Sequence, residues 1–257
     1  MPEGDTVFRT ARRLHDALAG DEVTSFEIRV PGSATADLTG EHVREVVPRG
    51  KHLLLRIGAH TLHSHLKMEG EWHVYRPGER WRKPGFTARA IVGTTRAEAV
   101  GFDLAMVEVL LTADEERVVG HLGPDPLGPD WDPAEAARRI AADPRPVHVA
   151  LLDQRNLAGL GNEYVNELLF VRGIPPTALA TAVDAAALVE TGARMIRMNR
   201  DRPARTFTGD TRRGRQNWVY GRQGKPCLRC GTPIARTALG AHPTAERVVF
   251  WCPRCQR

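Results

Sequence analysis

Long apolar runs are missing from this 257-residue sequence. None approaches the roughly 18–20 residues needed to span a bilayer, so no membrane helix is expected. The opening Met-Pro-Glu-Gly-Asp has neither a basic n-region nor an apolar h-region, which predicts no signal peptide and a cytoplasmic location. Cysteine is scarce, with four residues, all within the last 31. Lysine is scarce too, at 4 against 32 arginines. Internal repeats and low-complexity tracts are absent beyond a mild alanine enrichment. What is present is ordinary for a folded chain: 42% hydrophobic and 26% charged residues exclude a mainly disordered state. The length allows one to three compact units.

Charge is distributed unevenly. Residues 194–257 carry 15 Lys/Arg against 3 Asp/Glu, a net of +12, while residues 1–193 carry 21 against 28, a net of −7. Codon bias can explain arginine over lysine but not the segregation of sign. A basic C-terminal quarter on an acidic remainder points to a polyanionic partner, with nucleic acid foremost.

The four cysteines form two pairs, Cys227-Leu-Arg-Cys230 and Cys252-Pro-Arg-Cys255, separated by 21 residues. Two C-x2-C knuckles joined by a hairpin make a closed tetrahedral site for one structural Zn²⁺. Two disulfides would be the alternative, and a cytoplasmic chain disfavours them. A redox C-x-x-C usually comes once and beside a βαβ unit, and neither holds here.

Apolar periodicity predicts an amphipathic helix over Asp5–Leu18, with Val7, Ala11, Leu14 and Leu18 on one face. Short β-type runs follow at Val23–Val30, Leu53–Ile57, Thr61–Leu66, Trp72–Tyr75, Ala90–Val92 and Met106–Leu111, the pattern of a sandwich or barrel. Gly123–Asp130, with three prolines, reads as a linker. Asp132-Pro133-Ala-Glu135 then supplies an N-cap, a proline at the first helical position and a capping-box glutamate. Further helices are expected at Val147–Asp153, Asn162–Val171 and Ala185–Asn199, and a mobile polar loop from Arg200 to Gln216.

Several residues are candidates for chemistry. If Met1 is removed, Pro2 offers a secondary amine, and an α-amino group with a reference pKa of about 7.7–8.0 can attack an aldehyde-like carbon to give an iminium. Glu3 beside it could move protons. Lys51, entering a strand through Gly50, could meet a phosphate as a point charge. His63 and His65 share one strand face. With His60 and His73 nearby a second metal site is conceivable, although packed or phosphate-facing histidines fit the lack of carboxylate company better. Met68, in the turn Lys67-Met68-Glu69-Gly70, could wedge between bases. Asn162, after Gly159-Leu-Gly161, stands at a helix start suited to phosphate. Each residue alone has an ordinary structural explanation.

Six motifs in order change that balance: Met1-Pro2-Glu3-Gly4-Asp5, Arg49-Gly50-Lys51-His52-Leu53, His65-Leu-Lys-Met68-Glu-Gly70, Leu152–Tyr164, Val219-Tyr220-Gly221-Arg222 and the four-cysteine finger. Together the chain resembles the formamidopyrimidine-DNA glycosylase/endonuclease VIII family over essentially its whole length. The Glu-Gly-Asp opening is more similar to the endonuclease VIII branch, its actinobacterial members in particular. The resemblance implies an α+β multidomain fold: an N-terminal β-sandwich with flanking helices (residues 1–124), a helical helix–two-turns–helix domain (125–216) and a C-terminal β-hairpin zinc finger (217–257), with damaged DNA in the cleft. It implies a monomeric glycosylase and lyase with Pro2 as nucleophile, Glu3 as catalytic acid and Lys51 as catalytic lysine. Asn162 and Arg247 would hold phosphate, and Lys67, Met68 and His65 would belong to the intercalating region. Two departures bear on this. Most relatives carry a glutamate where Thr6 stands, and the finger loop Ala238–Ala245 is longer than in many. Oxidised pyrimidines are the expected substrates, with oxidised purines, or a non-catalytic DNA-binding role, as the alternatives.

Overall fold

The computed structural model describes residues 2–240 and 242–257. The chain divides into two compact units, Met1–His121 and Leu122–Arg257. Met1 itself, on which the amine of Pro2 depends, lies outside the described residues, as does Ala241 of the finger loop.

In the first unit, helix α1 (Gly4–Leu18) starts from an extended Glu3 and buries Val7, Ala11, Leu14 and Leu18, the face that periodicity predicts. Two antiparallel four-stranded sheets follow. One has the order β2 (Val43–Arg49), β3 (His52–Ile57), β4 (His60–His65), β8 (Met106–Leu111). The other has the order β1 (Val23–Ile28), β6 (Ala88–Thr94), β7 (Glu98–Phe102), β5 (Glu71–Tyr75). Leu53, Leu55, Leu62, Trp72 and Val92 fill the core that α1 also joins.

Strands β2 and β7 were not legible in the sequence. β2 contains Pro48 and three charges, and it is tolerated because it lies at a sheet edge, where a missing N–H costs no ladder bond. In β7, Gly101 breaks the apolar run. A Cβ there would stand 2.4 Å from Leu104 Cδ1 and 3.1 Å from the Trp72 ring, so glycine leaves room for both side chains against the strand. A short helix α2 (Glu116–Val119) ends this unit.

The second unit holds α3 (Pro133–Ala141), α4 (Val147–Leu152), α5 (Asn162–Arg172) and α6 (Ala185–Arg200) around Ile140, Leu151, Leu160, Leu168 and Ile196. Asp132 caps α3 as its sequence predicts, accepting from Glu135 N at 3.0 Å. The expected linker Gly123–Asp130 is instead docked. Residues 123–126 are buried, Gly123 N donates to Gln154 O (2.8 Å) and Arg197 Nε donates to Pro126 O (3.0 Å). Prolines stiffen a packed strap as readily as an exposed tether, and sequence alone does not separate the two. The Arg200–Gln216 segment is irregular but anchored. Thr206 N donates to Asn199 Oδ1 (2.9 Å), and Phe207 meets the Tyr164 ring edge-on at 4.9 Å. The hairpin β9 (Ala235–Leu239) and β10 (Arg247–Trp251) packs with Phe170, Val219 and Ile234 around the cysteines. No helix among the described residues is long and apolar enough to cross a membrane.

Candidate active site and nucleic-acid interface

Helix α1 places the first group of residues. Thr6 N and Val7 N both donate to Glu3 O, at 2.9 and 3.0 Å, so Glu3 is fixed at the helix start with its side chain buried. The partial positive charge of a helix N-terminus favours an anion at this position. Pro2, Thr6, Arg9 and Met68 line one cavity of about 690 Å³. Arg9 Nη2 donates to Thr6 Oγ1 at 3.4 Å, and its Nη1 lies 3.4 Å from the buried Asp5 carboxylate. A guanidinium thus covers Thr6. Met68 is 61% exposed at the tip of its turn. The turn is tight: Gly70 N donates to Leu66 O at 2.9 Å, and a Cβ on Gly70 would stand only 2.5 Å from that oxygen.

A second group gathers at the turn of the β2–β3 hairpin, beside the strand end that leads into the Met68 turn. Gly50 at φ +60° and Lys51 form its two-residue turn between paired Arg49 and His52. His65 lies opposite His52 across the β3–β4 ladder, with the two rings edge-on at 5.0 Å. Burial, together with the Lys67 and Lys51 cations, lowers the His65 pKa to about 4. His52 falls to about 3, chiefly through burial, so both rings are neutral at pH 7. His63 is buried between Glu108 Oε1 (2.8 Å from Nδ1) and His52 Nδ1 (2.7 Å from Nε2). His73 is held by Glu71 at 2.8 Å. These contacts remove the conceivable second metal site. His63 and His65 do share a face, but the ring nitrogens of His63 and His73 serve hydrogen bonds, and among the described residues only the four cysteines cluster as metal ligands would.

The third group joins residues 85 positions apart. Asn162 opens α5, its Oδ1 facing His148 Nε2 (3.1 Å) and accepting from Asn166 Nδ2 (3.0 Å). Its Nδ2 donates to Val248 O at 2.8 Å. Arg247, exposed at the start of β10, immediately precedes Val248, so one side-chain bond brings Asn162 to the residue next to Arg247. Phe250 N donates to Asn166 Oδ1 at 2.5 Å and completes the registration of the strand on the helix. Burial holds His148 neutral, its pKa lowered to about 4.

Sequence reasoning missed Glu167. Its buried carboxylate accepts the backbone N–H groups of Trp218 (2.8 Å), Val219 (2.9 Å) and Tyr220 (2.8 Å), fixing the Val219–Arg222 segment. Burial raises its pKa to about 7 against the pull of those three donors. A lone charge inside the apolar run of α5 was the available signal.

The four Sγ atoms of Cys227, Cys230, Cys252 and Cys255 lie within 4.8 Å of one another, none in a disulfide, with Cys230 and Cys252 at 3.4 Å. Zn–S bonds of about 2.3 Å in a tetrahedron need S···S edges near 3.8 Å, so the donor set fits this ion.

Comparison with known proteins agrees with the geometry. Residues 1–122 match the formamidopyrimidine-DNA glycosylase N-terminal domain, residues 122–197 the formamidopyrimidine-DNA glycosylase H2TH domain, and residues 224–257 the zinc finger found in FPG and IleRS. The chain belongs to the formamidopyrimidine-DNA glycosylase/endonuclease VIII family of DNA-repair enzymes. Within it, the similarity is to the actinobacterial type. The chain is 52% identical to the probable endonuclease 8 2 of Streptomyces coelicolor, over all of this chain and 94% of that protein. It is 51% identical to the DNA-(apurinic or apyrimidinic site) lyase Nei2 of Mycolicibacterium smegmatis, over 100% and 99%. Among solved structures, MutM in complex with DNA containing carbocyclic 8-oxo-G matches with a TM-score of 0.83 at 25% identity, covering both chains fully.

Proposed function

We propose that this DNA glycosylase and lyase of base excision repair binds damaged DNA and removes oxidised bases, pyrimidines ahead of purines, through an iminium formed by Pro2. The observation that carries the reading is the shared cavity of Pro2, Thr6, Arg9 and Met68, with buried Glu3 at its helix start. A base must leave the stack to be reached, at a cost of about a few kcal/mol that is lower for a lesion. Met68 would fill the vacated space. Asn162, Arg247, Lys67 and His65 would hold phosphates, and Lys51 the lesion-side phosphate or sugar.

In the chemical step the Pro2 nitrogen attacks C1′ and loses its proton, the glycosidic pair leaves with the base, and the C1′–O4′ bond then opens to give the iminium, with Glu3 supplying a proton to O4′ or to the departing base. The iminium acidifies C2′–H, whose loss expels the 3′ phosphate, and a second elimination expels the 5′ phosphate. Cys227, Cys230, Cys252 and Cys255 would hold one structural Zn²⁺, which supplies folding energy to the hairpin. In this scheme residues 1–124 act as the catalytic module, 125–216 as the helical DNA-binding module and 217–257 as the finger.

The pyrimidine preference rests on likeness to the endonuclease 8 proteins, whereas MutM was solved with an oxidised purine. Duplexes carrying thymine glycol, 5-hydroxyuracil or 8-oxoguanine discriminate the two. Faster release of both pyrimidines, leaving phosphate on both DNA ends, is expected. Faster 8-oxoguanine release reverses the preference, and binding without release of any base leaves a non-catalytic DNA-binding protein.

A further inference from the structure

The segment between β5 and β6 carries a second concentration of positive charge. Residues 76–89 contain Arg76, Arg80, Arg82, Lys83 and Arg89 against Glu79 alone, a net of +4 inside the acidic part of the chain. The backbone of this strap is firmly held. Lys83 Nζ bridges Glu71 and Asp103, at 2.7 Å each, Trp81 Nε1 donates to Glu98 at 2.6 Å, Tyr75 Oη accepts from Arg82 N at 3.2 Å, and Gly85 O accepts from Arg29 at 2.8 Å. The anchors use Lys83 and leave the arginines. Among the described residues no carboxylate lies within ion-pair distance of Arg76, Arg80, Arg82 or Arg89, and the first three are exposed. In the same strap Phe86 is 81% exposed, the most exposed large apolar side chain described.

Strand register sets where this strap lies. Glu71, which lines the Pro2 cavity, pairs with Phe102, and Phe102 pairs with Ala88. The strap therefore leaves the far end of β5 and returns to the cavity end, with Ala88 two strand spacings, about 10 Å, from Glu71. Guanidinium groups without a carboxylate partner in one strap with an exposed aromatic ring are what a single-stranded polynucleotide requires: charge for the backbone and a flat face for a base. A peptide rich in acidic residues would use the charges and have no need of the ring.

We infer that the Arg76–Arg89 strap is a second DNA contact, which takes single-stranded DNA leaving the Pro2 cavity, Phe86 stacking on an unpaired base and the arginines meeting phosphates. The inference rests on the proposed function, since it extends the same DNA track outward from the Pro2 cavity. It gives the enzyme a preference for lesions in bubbles or unpaired regions.

The test uses the full-length zinc-loaded protein and fluorescent 20-mers carrying a tetrahydrofuran abasic analogue, single-stranded or in duplex. Arg76→Gln, Arg80→Gln and Arg82→Gln together should lower the slope of log affinity against log salt by about 2 on the single strand, at about 0.7 per phosphate contact. Phe86→Ala should weaken single-strand binding about fivefold to a hundredfold, with a smaller loss on duplex. Unchanged melting temperatures verify that both variants fold. Wild-type slope and affinity in both variants overturn the inference. So does intact DNA binding with lost retention on polyglutamate, which would make an acidic peptide the occupant. Wild-type enzyme that releases no base from any lesion removes the proposed function itself, a result independent of the strap variants.

Discussion

Asn162 illustrates how much one side chain is asked to do. It accepts at Oδ1 from Asn166, donates to Val248 O from Nδ2, and has a second amide hydrogen on that nitrogen, which in the proposed complex would meet a phosphate. The same bonds fix which way the amide faces, because a flipped Asn162 would set two oxygens against each other at Val248. Asn162→Ala should therefore cost about 1–3 kcal/mol of stability by leaving buried polar partners unmatched. It should also weaken binding to DNA of any sequence. Arg247→Ala should keep stability and shallow the salt slope by about one charge unit. Anisotropy titrations across salt, with thermal melts, check both. A variant that changed lesion preference at intact affinity and slope would contradict phosphate positioning. The candidate residues are legible in sequence because each sits in a short motif. Their company is not: Asn162 against Val248, the neighbour of Arg247, Glu167 under Trp218–Tyr220 and Arg9 over Thr6 are products of tertiary packing.

Among the elements, those with strong local signals were the readable ones. α1 has an apolar stripe, α3 an Asp132 cap, and the finger two C-x2-C knuckles. β2 and β7 were not, since a proline-bearing edge strand and a glycine under Trp72 make sense only once their neighbours are placed. The docked Gly123–Pro126 strap was hidden for the same reason. The finger is the element most dependent on a bound group, because its own core is small: Phe170, Val219, Ile234 and the cysteines. Cys230→Ser or Cys252→Ser should unfold it and weaken DNA binding, while the first unit keeps its fold. Metal analysis should give one zinc per chain. A chain without zinc, or chelation that leaves DNA affinity intact, would contradict this role.

At the scale of the whole molecule, counting charge in bulk exposed the basic C-terminal quarter and concealed the basic strap, whose +4 is outweighed within residues 1–193. The proposed polyanion contacts are thus spread over both units: Lys51, Lys67 and the strap in the first, Arg247 in the second. They have a single purpose if Pro2 is the nucleophile, namely to hold a flipped nucleotide over the cavity that Pro2 and Met68 share. Borohydride reduction during turnover tests this most directly. A stable protein–DNA adduct whose cross-linked peptide begins at Pro2 is expected, and no adduct from protein verified to retain Met1, where the Pro2 nitrogen is an amide. An adduct mapping to Lys51, or efficient strand cleavage by the Met1-retaining protein, would contradict it.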